Sequence, residues 1–488
     1  MSAQRSFALC LVLSSLPSLA SAQDVASPRE AASTVTTSQV QPLLEERLAA
    51  AIGADGGLVA DDVAARAVET SADVRARASD LEAAGLAVDQ ALAGYFPRVT
   101  LGASYTRLSD IVMPALGTLV AAPGATSGQP IEPTQPLYAF GFQFPVLLNQ
   151  TLLRAQLSIP LTDYLLRVAP GVEAAEASRD AASATEQATR RRIGADARVA
   201  YYTWARARLQ SLVADQALET VRDHLAQARS FVAAGALPEA DQTRVEAQVA
   251  AAQLLAARAH DLDLALVDRL HTILHDGATG DFAIGDPLMP TLPDVTTTPS
   301  DAVPDALDAR PELRALAATV HAADRQAAVA SAGFWPQIVG LGEVLTANPN
   351  PRFVPQQDRF DTTWQVGVSL TWSPNDLGIA VPATHAAEAR RDSASAQLDA
   401  MRDAIRTEVV TAWQAIRDAR AALDTTTEGL RAAEATYASR RSLYAAGRAT
   451  TLELLDAEID LTRARLEALN ARVDAAIART RWAFATGA

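Results

Sequence analysis

The stretch TTWQVGVSLTWSPN, residues 362–375, decides the fold. Between its tryptophans, apolar and polar residues alternate strictly. Trp364, Val366, Val368, Leu370 and Trp372 share one face, and Gln365, Gly367, Ser369 and Thr371 share the other. A period of two is that of a β-strand with two different surroundings. At about 3.4 Å per residue the tryptophans stand about 27 Å apart, close to the apolar band of about 25 Å that aromatic girdles flank in outer-membrane barrels. The alternation by itself is equally compatible with a small soluble sheet that has one buried face.

Two further segments share the pattern. Leu153, Ala155, Leu157, Ile159 and Leu161 alternate with Arg154, Gln156, Ser158, Pro160 and Thr162, and Val99, Leu101, Ala103 and Tyr105 alternate with Thr100, Gly102, Ser104 and Thr106. A fourth strand, Ile338 to Leu345, has Gly340 and Gly342 where the others have apolar residues. Four strands are too few to close a barrel, since bacterial ones have about eight or more. An open edge in lipid would leave backbone groups unsatisfied at several kcal/mol each. A membrane sheet of this size therefore implies an oligomer, and periodicity alone does not choose between two copies and three.

The fourth strand is placed by an internal duplication. Val74 to Val99, VRARASDLEAAGLAVDQALAGYFPRV, aligns with Leu313 to Ile338, LRALAATVHAADRQAAVASAGFWPQI. Aromatic-aromatic-Pro recurs at Tyr95-Phe96-Pro97 and Phe334-Trp335-Pro336. Arg229 to Gln248 aligns with Arg441 to Asp460, and the shorter interval in the second copy puts an insertion in the first, most naturally in the Pro-, Gly- and Thr-rich Ser109 to Pro136. Each copy reads as helix, strand, loop, strand, very long helix, tight turn at Ala-Ala-Gly, and returning helix. The expected organisation is a leader (1–22), an N-terminal extension of weak periodicity (23–57), repeat 1 (58–275), a linker (276–302) and repeat 2 (303–488).

The long helices are not globular-domain elements. Gly171 to Ala234 has no internal proline and only Gly194 as a breaker, so it would span roughly 95 Å. Its partner, Ala383 to Ala446, is as long, and each ends at a glycine, Gly235 or Gly447, which tolerates the left-handed turn that closes a helix. Narrow apolar stripes, such as Ala195, Val199 and Tyr202 or Val409, Ala412, Trp413 and Ile416, have coiled-coil spacing. The apolar share of 49% with only 5% aromatics reflects abundant alanine and suits closely approaching helices more than a thick core.

Charge and targeting narrow the class. All 42 basic residues are arginine and the net charge is −15, which gives no nucleic-acid footprint. The N-terminus has Arg5, an apolar run from Phe7 to Leu16 and Ala20-Ser21-Ala22, the pattern of a secretory signal peptide. Its removal would take away Cys10, the only cysteine. Catalytic chemistry is not indicated. His271 and His275 are four apart, but HTILH lacks the glutamate of a zinc-peptidase helix, and His224, His260, His321 and His385 are isolated. No GxSxG or phosphate-binding glycine loop occurs, and we expect no enzyme and no cofactor.

With these residues in place, the chain resembles the outer-membrane efflux proteins, the TolC-like outer-membrane factors, from about Leu58 to Thr486. The most specific matches are GYFPRV (94–99) and YAAGRATTLELLDAE (444–458). The resemblance implies a mainly α fold with a membrane β-barrel part. In a homotrimer, twelve strands would form one shared outer-membrane barrel and the long antiparallel helical hairpins a periplasmic α-barrel. It also implies a passive exit duct for a tripartite efflux pump or type I secretion system, joined to an inner-membrane transporter through a periplasmic adaptor. Trp364 and Trp372 would mark the membrane interfaces. By the same resemblance Tyr444, Gly447, Glu453 and Asp456 match the gate at the periplasmic tip, where three copies would crowd carboxylates and raise their pKa. Asp241 matches an aspartate that ties the two hairpins together. Its basic partner falls on Ala449, with Arg448 one residue earlier. Gly235 and Gly447 match the hairpin tips that receive the adaptor. The alternative from another class is a periplasmic structural or adaptor-like coiled-coil protein with the sheet as a soluble cap.

Overall fold

A computed structural model of the chain describes residues 41–54, 56–110, 117–123, 128, 130, 133–141, 146–277, 280–288, 292–293 and 298–487. The expected leader and residues 23–40 of the N-terminal extension lie outside these. The elements run α1 (Gln41–Ala51), α2 (Ala60–Thr70), α3 (Ala72–Leu92), β1 (Arg98–Arg107), β2 (Thr118–Ala121), β3 (Tyr138–Gly141), β4 (Asn149–Pro160), α4 (Leu161–Asp163), α5 (Ala169–Ala233) and α6 (Glu239–Leu274). They continue with α7 (Pro299–Ala309), α8 (Pro311–Ser331), β5 (Gln337–Asn348), β6 (Asp361–Thr371), α9 (Leu377–Ala445) and α10 (Thr451–Thr486).

The duplication is visible in these bounds. α2, α3, β1, β4, α5 and α6 correspond to α7, α8, β5, β6, α9 and α10. Where one leading helix per copy was expected, there are two, divided at Ser71 and Arg310. Ser71 caps α3 by accepting from the Val74 amide, at 3.4 Å. Its counterpart Arg310 is buried, pairs with Glu312 and Glu408 at 3.0 Å each, and donates to the Phe484 carbonyl at the end of α10. The extra length of copy 1 lies in the connection between Arg107 and Asn149, which holds the β2–β3 hairpin, whereas residues 349–360 join β5 to β6.

α5 and α9, 65 and 69 residues long, span roughly 100 Å each. α9 begins at Leu377, before the expected Ala383, and carries Pro382 inside. The matching Pro170 of α5 sits at the helix start, just after a π-helical turn, Tyr164–Val168. α5 pairs with α6 and α9 with α10, and α10 also crosses α5.

The main core lies at mid-height. Trp204 and Tyr201 are fully buried there, among Val63 of α2, Leu270 of α6, Ile284 and Val473 of α10. Residues 280–288, expected as part of a plain linker, act instead as a clasp. Ile284 forms bridges with Ile52 and Leu58, Asp286 accepts from the first amide of α2 at Ala60 (3.1 Å), and the Tyr201 hydroxyl donates to Leu58 O at 2.7 Å. The linker range also overlaps α7, which starts at Pro299, and the N-terminal extension contains α1, whose Leu44 is buried and whose Leu48 joins the core.

Nearer the helical turns the interior becomes polar. His224 of α5, Tyr437 of α9 and Glu458 of α10 are buried together, with the Tyr437 hydroxyl 3.4 Å from His224 Nε2. Burial pushes the Glu458 carboxyl up, against the pull of the Tyr437 hydroxyl and of Arg465 and Arg441. Burial pushes the His224 imidazole down from 6.5 to about 4, and nearby Arg441 adds to this. The unfolded chain protonates this histidine below pH 6.5 and the folded one only near 4, so its contribution is intact above 6.5 and is lost through that window. The loss is up to roughly 3 kcal/mol. We predict that thermal melts between pH 7 and 4 show a smaller acid destabilisation for His224→Gln than for the unaltered chain. Glu458 acts in the opposite sense, since the folded state keeps a proton that the unfolded chain sheds above pH 4.5. Glu458→Gln should therefore gain stability at pH 7 relative to pH 4.

Candidate functional site

The sheet has the order β1-β4-β5-β6, antiparallel throughout, with β1 and β6 at free edges. Its register joins the alternating patterns of all four strands into two continuous faces. Val99 stands opposite Leu157, Leu101 opposite Ala155 and Ala103 opposite Leu153. Leu157 and Ala155 in turn face Gly342 and Val344, which face Val366 and Trp364. Gly340 and Gly342 therefore lie on the apolar face, as their place in the pattern suggested, and flatten it between Ile159, Leu157, Val368 and Val366.

That apolar face is open. Leu101 and Val366 are each 78% exposed, and Val99, Val368, Leu370 and Trp364 are comparably bare. An exposed apolar surface covering one whole face of a sheet is not a soluble protein's surface. Trp364 lies toward the loop end of the sheet with Tyr105. Trp372, one residue past the end of β6, lies at the helical end, where Phe96 and Trp335 are also exposed. The aromatic-aromatic-Pro motifs, legible in the sequence only as markers of the repeat, thus place exposed aromatics at this end of the sheet. Leu165 and Ile379, exposed at the same end, went unnoticed for lack of any pattern. On the opposite face Gln365, Gly367, Ser369 and Thr371 align with Glu343, Leu341, Val339 and Gln337.

The second part of the site is the pair of helical turns. Both close in the same way. Gly235 (φ 69°) and Gly447 (φ 67°) adopt the left-handed conformation; the Gly235 amide donates to Val232 O and Ala236 to Phe231 O, as Gly447 does to Tyr444 O and Arg448 to Leu443 O. A 6→1 bond wrapped around a left-handed glycine is the physical reason each long helix stops there. Tyr444 packs edge-on to Phe231, with centroids 6.2 Å apart, which ties the two turns together in one chain. Leu455 of α10 buries itself among Val221, Ala228 and Val245 of the other hairpin.

The charged residues singled out from sequence are placed unequally. Glu453 closes a capping box: its amide donates to Thr450 Oγ1 at 3.3 Å, and its carboxylate accepts from the Thr450 amide at 2.8 Å. Arg440 adds an ion pair at 3.1 Å. These contacts, the Thr450 amide first, hold Glu453 below the usual carboxylate range, opposite in direction to the upward push expected from a crowded ring. The Thr-x-x-Glu signature at 450–453 was the sequence signal for this cap. Asp456 is exposed on the next turn, and Arg448 is exposed with only its amide engaged in the turn. Asp241 does not bridge the hairpins within this chain, since its partner is Arg244 on its own helix at 3.2 Å. By the repeat, Asp241 and Arg244 occupy the places of Glu453 and Asp456. Asp241 is thus paired with Arg244 on its own helix, whereas Glu453 is paired with Arg440 across its turn and Asp456 stands where copy 1 has the arginine. Arg440 and Phe231 were missed because neither has a distinctive spacing.

Among the described residues no group of three or more His, Cys, Asp and Glu side chains is arranged to hold a metal ion. Both ring nitrogens of His271 are engaged, by Asp276 and by Gly280 O at 2.8 Å each, and these partners hold its pKa above the ordinary value. His275 ends α6 in a left-handed conformation. No helix among the described residues is long and apolar enough to cross a membrane.

Comparison with known proteins gives the same picture. The outer-membrane channel OprN superposes with a TM-score of 0.70 at 21% identity, covering 88% of this chain and 89% of that one. The open state of the Neisseria gonorrhoeae MtrE outer membrane channel gives 0.69 at 20% identity, over 88% of each chain. The Campylobacter jejuni CmeC outer membrane channel gives 0.70 at 15% identity, over 88% and 85%. At these identities the likeness establishes the fold. No curated relative matches the chain in sequence. The profile of outer membrane efflux proteins, however, matches residues 63–273 and 302–488, one segment for each repeat. With the duplicated helix-strand-strand-helix-helix order, the open apolar sheet and the paired helical turns, this match shows that the chain belongs to the outer membrane efflux protein family.

Proposed function

We propose that three copies of the chain assemble into a passive channel, the outer-membrane exit duct of a tripartite efflux pump or type I secretion system. Twelve strands close one barrel, with β6 of each protomer pairing with β1 of the next. Val366, Val368 and Leu370 face lipid, and Gln365, Ser369 and Thr371 face the pore. Trp364 and Trp372 sit at the outer and periplasmic interfaces. The observation that carries this reading is the sheet itself, whose whole apolar face is exposed and whose two edges are unpaired. A soluble cap would have to cover both. Lipid satisfies the face, and neighbouring protomers satisfy the edges.

In this assembly the α5–α6 and α9–α10 hairpins form the periplasmic barrel. Gly235 and Gly447 lie at the tips that a periplasmic adaptor would grip, and the adaptor links the duct to an inner-membrane transporter. The tip of copy 2, where Glu453 and Asp456 stand without a basic residue at i+3, narrows the closed end. Tyr444 and Arg448 flank it. Asp241, neutralised within its own helix, is free to exchange partners on opening. Such rings of carboxylates select cations.

Two experiments follow. The chain should fractionate with outer membranes and run on gels as a trimer that dissociates on heating; recovery as a soluble periplasmic monomer would refute the assembly. In planar bilayers the Glu453→Ala, Asp456→Ala double variant should conduct at least about twofold more than the unaltered channel, with weaker cation preference. Unchanged conductance and selectivity would remove these residues from the gate.

A further inference from the structure

On the sheet face away from the exposed apolar surface, in the half distant from the helices, a charged cluster folds a loop back onto the strands. Glu343 lies mid-strand on β5. Its carboxylate is bound by Arg154 of β4 at 3.2 Å, by the Gln365 amide of β6 at 3.1 Å, and by Arg352 of the β5–β6 connection at 3.0 Å. These partners leave the side chain only 13% exposed. β5 ends at Asn348, so Glu343 lies roughly 17 Å below the strand end, at about 3.4 Å per residue. Arg352 reaches it only because the loop turns inward and runs back along the sheet. Asn350 fixes that turn. It is buried, donates to Asp361 O at 2.9 Å and accepts from the Arg352 amide at 3.0 Å. Leu345 and Ala347, which share the face with Glu343, are buried already in the single chain.

We infer that this cluster is a charge-bearing constriction at the outer end of the pore, where Arg352 holds the β5–β6 loop inside the barrel and the unbalanced guanidinium sets ion preference. The inference rests on the trimeric-pore reading, which makes this face the lumen. Two guanidiniums against one carboxylate leave one positive charge per protomer. Three copies place a positive collar in the outer half of the barrel, opposite in sign to the carboxylates of Glu453 and Asp456 at the periplasmic tip. A charged ring at a narrow point filters the ions and charged solutes that pass it. Cations favoured at the tip would thus meet an opposing barrier at the exit, and anionic or zwitterionic solutes would pass the collar more readily.

The test is single-channel recording in planar bilayers under a salt gradient, on variants first shown to migrate as the same heat-sensitive trimer. Glu343→Gln preserves size and hydrogen bonding but frees both guanidiniums, and should raise the anion-to-cation permeability ratio by about twofold or more. Arg352→Gln removes one positive charge and releases the loop, so it should raise conductance while moving selectivity toward cations. Opposite shifts in selectivity separate a charge collar from a general loosening of the mouth. If one variant fails to assemble, Arg352→Cys is treated from the outer side with a negatively charged thiosulfonate, which should lower anion permeability. Conductance and selectivity equal to the unaltered channel in the assembled variants, or no response of the cysteine variant, would overturn the inference. An unaltered chain that forms no pore would refute the channel reading instead.

Discussion

The structure depends on one unsatisfied sheet. Four antiparallel strands present a continuous apolar face and end at β1 and β6 with unpaired backbone groups. Each unpaired donor or acceptor costs several kcal/mol in an apolar medium, and an exposed apolar face of this size is costly in water. Neither cost is met within one chain. Closure by further copies and burial in lipid, the assembly we propose, would meet both at once. The aromatic residues collect at the two ends of the face, the loops lie beyond one end, and the helices leave from the other.

The helical half obeys a different constraint, that of length. Helices of roughly 100 Å must be held straight by neighbours and stopped cleanly. Alanine lets those neighbours approach, and a left-handed glycine with a 6→1 bond stops each helix at the same place in both copies. Duplication supplies the plan, and small departures from it give the two halves different roles. Arg244 against Asp456 gives one turn an ion pair within its returning helix and the other a second carboxylate there. Ser71 against Arg310 makes one helix junction a cap and the other a buried ionic anchor. The short β5–β6 connection folds back onto the sheet, while its longer counterpart carries an added hairpin.

Much of this was legible in the sequence because it is periodic. Alternation gave β1, β4 and β6, and the repeat placed β5 despite its glycines. Gly235 and Gly447 marked the turns. What was not legible depends on contacts between residues far apart in the chain. Residues 280–288 looked like a linker because they have no period, yet Ile284 and Asp286 clasp the first helices. His224, Tyr437 and Glu458 come from three helices and carry no shared spacing. The Glu343 cluster gathers residues from β4, β5, β6 and a loop, and only strand register brings them together. Glu453 was picked out as a gate residue by resemblance, but its capping role was written locally in Thr450 and Glu453.

The orientation of the sheet is tested most directly by a spin-label scan along residues 364–371 of the assembled protein in lipid. Single labels report collision with oxygen, which concentrates in the bilayer, or with a water-soluble nickel complex. The account predicts a period of two, with positions 364, 366, 368 and 370 accessible to oxygen and 365, 367, 369 and 371 to nickel. Equal accessibility at all positions, or the reverse alternation, would contradict it.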